Sequence, residues 1–69
     1  MSLLVKRSFT LAGHRTSVAL EPEFWEALSR LAAGRGRTLT ALVAEVDADR
    51  ATGRPLASAL RLHALLSPR

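Results

Sequence analysis

Polar and apolar residues alternate along Arg15–Leu20 (RTSVAL), which is the spacing of a β-strand with one buried and one exposed face. The β-branched and larger apolar residues suit a pleated inner surface, and the remaining residues are polar or small. The inner residues are Thr16, Val18 and Leu20, and the outer residues are Arg15, Ser17 and Ala19. The pattern therefore predicts one half-buried strand.

The preceding segment, Val5–Leu11 (VKRSFTL), alternates less regularly. Val5, Phe9 and Leu11 occupy alternate positions and would share one face, but Arg7 places a charge on that same face. We interpret the segment as an extended arm or a further short strand, with Ala12–His14 as a plausible turn. A hairpin between this segment and RTSVAL therefore stays open as an alternative to a free arm.

From Pro22 onward the apolar spacing becomes that of a helix. Proline is tolerated at the first helical position because the N–H group it lacks would have no partner there. One face of this helix collects the large apolar residues: Phe24, Trp25, Leu28, Leu31 and Ala32. The helix is expected to end near Ala33 or Gly34, with Gly36, or alternatively Gly34, in the left-handed conformation that terminates it.

Two further helices follow. Thr38 is a good N-cap for the second helix. The apolar stripe of that helix is Leu39, Leu42, Val43 and Val46. The sequence TGRP at Thr52–Pro55 breaks it, and a third helix is predicted over Leu56–Leu66. Leucines surround most of the third helix, so we expect part of it to lie in a subunit interface.

The composition narrows the class of protein. With 69 residues, 48% of them hydrophobic, the chain forms one domain, and small domains without cysteine often oligomerise. His14 and His63 lack the neighbours that catalysis or zinc binding requires, so we expect no enzyme, no metal and no cofactor. No apolar run reaches the roughly 20 residues that span a membrane. The start lacks the features of a signal peptide, so we expect a cytoplasmic protein.

Charge points to an anionic partner. The formal net charge is +4, and the first 20 residues contain Lys6, Arg7 and Arg15 but no acid. Such a segment attracts phosphate, and less readily an anionic membrane surface. A two-stranded ribbon fits the major groove of DNA, and two copies of RTSVAL about a two-fold axis would make one. Arg15 could then bind guanine, Ser17 a hydrogen-bond donor or acceptor on a base edge, and Ala19 a thymine methyl group. An ordinary half-buried strand with a solvated outer face is the equally weighted alternative.

The start of the second helix offers a second site for phosphate. Its first backbone N–H groups and the positive end of its dipole lie at Thr38, Leu39 and Thr40, just after Arg35 and Arg37. Such an anchor would set the register of a ribbon on DNA without reading sequence. A plain capped helix start is the alternative.

The order of strand, short link, helix, glycine turn and threonine-capped helix resembles the ribbon-helix-helix DNA-binding proteins of the Arc and MetJ type. The resemblance covers roughly Lys6 to Leu66, and the segments that carry it are RTSVALEPEFWEAL and RLAAGRGRTLTALVAEV. A bacterial subfamily with an added carboxy-terminal helix looks closer, through TSVALEPEFW and LASALR, which begin at Thr16 and Leu56.

The resemblance implies a mainly α-helical fold with one short strand per chain. It implies an intertwined homodimer with an intermolecular antiparallel ribbon in the major groove of double-stranded DNA. We expect an arm at residues 1–14, a ribbon-helix-helix core at 15–52 and a carboxy-terminal helix at 53–69. The residues expected in the dimer core are Thr16, Val18, Leu20, Phe24, Trp25, Leu28, Leu42, Val43 and Val46.

Carried over by position, Arg15, Ser17 and Ala19 face the bases. The residues expected at phosphates are Arg35, Arg37, Thr38, Leu39 and Thr40 at the second helix, with Lys6 and Arg7 of the arm. Ala19 is apolar where many relatives carry a polar residue, which weakens the expected sequence discrimination. The expected function is that of a transcriptional repressor or autoregulator. The alternative is an antitoxin-like or adaptor protein-interaction dimer with weak or no reading of DNA, with a protein partner at its third helix.

Overall fold

The amino-terminal segment is a hairpin. In the computed structural model, which describes residues 3–67, strand β1 (Val5–Leu11) pairs antiparallel with strand β2 (His14–Leu20). The predicted single strand per chain is therefore wrong, and the hairpin that the sequence left open is what forms. Residues 1, 2, 68 and 69, at the ends of the predicted arm and carboxy-terminal segment, lie outside the described residues.

A two-residue turn makes this pairing possible. Ala12 and Gly13 both have positive φ angles, of 51° and 81°. Two-residue turns with positive φ at both positions match the right-handed twist of the strands they join. The left-handed conformation costs an alanine energy that a glycine does not lose, so Ala12 is a strained position in an otherwise favourable turn.

The inner face of the hairpin lies on the helices. Val18 and Leu20 of β2 are buried, as the alternation predicts, and Thr16 is half-buried. Phe9 and Leu11 of β1 are buried beside them, although the sequence did not place them in the core. Their burial explains why β1 pairs with β2: the strand contributes two large apolar side chains that a free arm would leave in water.

The three predicted helices are present: α1 (Pro22–Gly34), α2 (Leu39–Asp49) and α3 (Leu56–Leu66). At the end of α1, Gly36 has a φ of 65°, its N–H donates to the Ala33 carbonyl at 3.0 Å, and the N–H of Arg37 donates to the Ala32 carbonyl at 2.9 Å. This pair of bonds is the Schellman arrangement, and it selects Gly36 over Gly34 as the terminating residue.

All five elements contribute to one core. Helix α3 contacts α1, α2 and β2, and its Ala59 and Leu60 are buried, so the third helix completes the interior of the chain itself. The outward leucines of its last turn, Leu65 and Leu66, remain 72% and 75% exposed. The buried residues are Phe9, Leu11, Val18, Leu20, Trp25, Leu28, Ala32, Leu42, Val43, Val46, Ala59 and Leu60.

An ion pair joins the start of α1 to α3. The Arg61 Nε donates to Glu21 Oε1 at 3.0 Å, and the guanidinium lies 5.9 Å from the Phe24 ring centroid. The pKa of Glu21 lies below its ordinary value, chiefly because a backbone N–H donates to the carboxylate and secondly because Arg61 does. Glu21 therefore stays ionised to a lower pH than an ordinary glutamate.

Replacing Ala12 with glycine should stabilise the chain by ~0.5–1 kcal/mol, because glycine adopts the left-handed turn without strain. The free energy of unfolding in urea, at one fixed chain concentration, measures the change. Ala33→Gly in the exposed end of α1 is the matched control and should destabilise the chain by up to ~1 kcal/mol. A loss of stability in Ala12→Gly would contradict the strained-turn interpretation.

Glu21→Gln should reduce stability at neutral pH and remove part of its pH dependence. A carboxylate with a lowered pKa stabilises the fold above its ordinary value of 4.5, and that contribution is lost as the pH falls through the lower folded-state value. Urea unfolding of both proteins from neutral to acid pH should therefore show curves that converge in acid. Glu26→Gln, which affects only an exposed pair with Arg30, should show a smaller change. Parallel curves for Glu21→Gln would rule out the linkage.

Candidate nucleic-acid interface

The outer face of the hairpin carries one row of side chains from each strand. The register pairs Lys6 with Ala19, Ser8 with Ser17 and Thr10 with Arg15, so these six residues share one face. All are exposed except Ala19, which is half-buried. The three residues predicted to face bases thus lie on the exposed face of the sheet. Lys6, Ser8 and Thr10 of β1 extend this face beyond the residues predicted to contact bases. Their alternation was visible in the sequence, but their pairing with β2 was left open.

This face is basic and rich in hydroxyl groups. Lys6 lies near the end where the hairpin meets α1, and Arg15 lies near the turn. The hydroxyl oxygens of Ser8 and Ser17 are 3.1 Å apart across the strands, and either can donate. Residues 3–20 contain no acid, so no carboxylate on the hairpin offsets the two cations.

Trp25 of α1 supports the opposite face. Its indole Nε1 donates to the Val5 carbonyl at 2.7 Å, and its ring centroid is 5.8 Å from that of Phe9. The Arg7 guanidinium lies 5.4 Å from the indole centroid, within the range of a cation–π contact. The structure thus places the two basic residues of the arm on opposite faces, with Lys6 outward and Arg7 against Trp25.

The start of α2 is capped as the sequence predicted. The Thr38 hydroxyl accepts a hydrogen bond from the Ala41 N–H at 3.0 Å. Helix geometry gives the amides of Leu39 and Thr40 no acceptor within the helix. Leu39 is half-buried against the core and Thr40 is exposed, so a ligand at this end would meet the two amides and the Thr40 hydroxyl.

Glu45 engages both arginines that precede this helix. It forms an ion pair with Arg37, which donates a hydrogen bond to it, and a looser one with Arg35 at 3.7 Å. This role of Glu45 was not predicted from the sequence, although the seven residues from Thr38 to Glu45 are nearly two helical turns and therefore place both on the same side of α2. Arg35 and Arg37 are thus held along the side of the helix by a carboxylate.

The residues expected in a dimer core lie mostly inside one chain. Thr16 and Phe24 are the half-buried exceptions, and the remaining residues pack within the single chain. Those that are buried are Val18, Leu20, Trp25, Leu28, Leu42, Val43 and Val46.

The carboxy-terminal helix leaves a groove against α2. Val46, Ala59 and Leu62 contribute apolar surface to it, and His63 also lines it. The Nε2 atom of His63 is buried without a hydrogen-bond partner among the described residues. Residues 3–67 contain no group of three or more His, Cys, Asp or Glu side chains placed to hold a metal ion.

A basic, hydroxyl-bearing two-stranded face carried on three helices is suited to binding a polyanion. The family model of the ribbon-helix-helix domain matches residues 4–67, and the chain belongs to that family. Its members are in general DNA-binding transcription regulators and not enzymes. No curated protein and no solved structure matches the chain. None of the helices described is long and apolar enough to cross a membrane.

Proposed function

We propose that the protein is a dimeric, sequence-specific DNA-binding repressor or autoregulator that inserts a β-ribbon into the major groove. The observation that carries the proposal is the acid-free outer face of the hairpin, with Arg15 and Ser17 exposed on β2. Major-groove base edges present acceptors and donors that these two side chains can bind. The family indicates DNA as the general class of partner, and the exposed face indicates which residues would contact it.

The free edge of β2 supports the proposed dimer. Among the described residues β2 pairs only with β1, so every second residue of β2 directs its N–H and C=O groups away from the sheet. Unpaired strand edges readily bind a further strand, and β2 of a second copy would extend the sheet in the order β1–β2–β2–β1. Thr16 and Phe24, half-buried in one chain, would then be covered further by the partner.

In this arrangement the two β2 strands are the central ribbon. Arg15 would bind a guanine through two hydrogen bonds, Ser17 would bind a donor or an acceptor, and Ala19 would contact a thymine methyl group. Ala19 forms no hydrogen bond with its side chain, so discrimination would depend mainly on Arg15 and Ser17.

The start of α2 would anchor the ribbon on the DNA backbone. The amides of Leu39 and Thr40 would bind a phosphate, and Arg35 and Arg37 would approach it from the preceding turn. Glu45 competes with that phosphate for the same two arginines. The carboxylate therefore weakens the anchor while keeping both arginines in place.

Arg15→Ala should reduce affinity for the selected DNA site by ~1–3 kcal/mol, about five- to 150-fold, and relax the choice of base at one position. The site is first obtained by selecting bound DNA from a random pool with the unaltered chain. Arg30→Ala, which removes one exposed charge from α1, is the control and should leave the choice of base unchanged. An equal loss on every sequence would assign Arg15 to phosphate instead.

Glu45→Gln should raise affinity for DNA by up to about fivefold, since an exposed ion pair contributes at most ~1 kcal/mol. The mechanism is the release of Arg35 and Arg37 towards phosphate, so the salt dependence should also become steeper. Glu26→Gln makes the same charge change on α1 and should have a smaller effect. Equal effects of the two variants would show that only net charge matters.

The second candidate is a protein-interaction dimer that does not read DNA. The exposed Leu65 and Leu66 at the end of α3 favour it, because they offer apolar surface to a partner. Binding of the purified chain to DNA over a series of salt concentrations discriminates the two candidates. No binding even at low salt would contradict the first, and a monomer at micromolar concentration would contradict both.

A further inference from the structure

The outer row of β1 has free groups that the reading of bases by β2 does not use. Lys6 and Thr10 form no side-chain hydrogen bond or ion pair with any residue described in the structure. Ser8 differs, because its hydroxyl is bonded to that of Ser17. Lys6 and Thr10 are thus available to a ligand that approaches the outer face.

Strand spacing determines what this row would meet. Adjacent strands lie roughly 4.8 Å apart, so in a β1–β2–β2–β1 sheet the two β1 strands are separated by about 14 Å. The major groove of B-DNA is about 12 Å wide. The central pair fits between the walls of the groove, whereas the two outer strands lie over the walls themselves. Those walls are the sugar–phosphate backbones.

We propose that the outer row of β1 is a backbone-binding strip, in which Lys6 and Thr10 bind DNA phosphates on both sides of the groove. The proposal rests on the dimeric ribbon proposed above and assigns β1 a role that the ribbon alone does not need. An ammonium group and a hydroxyl both donate to phosphate oxygens, and neither contact depends on sequence.

Arg7 provides an internal comparison. It is the next residue to Lys6 and carries the same charge, but it lies on the other face, against Trp25. Long-range attraction to DNA treats the two charges alike, whereas direct contact with phosphate favours Lys6 alone. A difference between variants at these two positions therefore reports contact.

The experiment measures DNA affinity against salt concentration for Lys6→Gln, Arg7→Gln and Thr10→Val, with Arg30→Gln as the charge control. Each phosphate contact contributes about 0.9 to the slope of log affinity against log salt, so loss of two Lys6 contacts per dimer should lower the slope by about 1.8. Arg7→Gln and Arg30→Gln should lower it much less. Thr10→Val should weaken binding on all sequences by the same factor.

The results also separate this inference from the proposed function. If the unaltered chain binds DNA and Arg15→Ala changes the choice of base, equal slopes for Lys6→Gln and Arg7→Gln overturn the strip and leave the ribbon intact. A changed choice of base in Thr10→Val likewise overturns it, because the hairpin of one chain would then be the reading ribbon. Absence of DNA binding by the unaltered chain overturns both proposals.

Discussion

The fold depends on the single residue that separates β2 from α1. Leu20 is fully buried at the end of the strand, and Pro22 already begins the helix, so Glu21 alone makes the change of direction. A link of this length leaves the hairpin no freedom to turn over. Its apolar face must lie on the helices, and its basic face must point to solvent. The Arg61 contact to Glu21 holds the same junction from α3.

The core is built around that junction from elements distant in sequence. Trp25 on α1 reaches the start of β1 through the bond to the Val5 carbonyl, and Phe9 lies against the same ring. Helix α3, near the other end of the chain, contributes Leu60, which is fully buried in the same core. A 69-residue domain buries a limited share of its surface, so α3 and β1 both matter to the stability of the single chain.

Charge is separated within the molecule. The hairpin has only cations, and the acids lie on or beside the helices, where Glu21, Glu26, Glu45 and Asp47 each pair with an arginine. Acids on or beside the helices thus pair with five of the arginines outside the hairpin, whereas Lys6 and Arg15 have no ion pair among the described residues: the paired arginines are Arg30, Arg35, Arg37, Arg50 and Arg61. The molecule can consequently present a positive sheet face even though its formal net charge is only +4.

The sequence by itself determined the local features: the three helices, the Thr38 cap, a glycine termination of α1 at Gly36 or Gly34, and the inward side of β2. Each depends on residues within about one or two helical turns, or on simple alternation, and such patterns are readable along the chain. Only the tertiary structure decided that β1 joins β2, that Arg7 lies on Trp25, and that Glu45 engages Arg35 and Arg37. These outcomes depend on which surfaces meet in space. Arg7 is a charged residue at an inward position of β1, so the sequence pattern did not predict a strand clearly; in the structure its guanidinium lies on Trp25.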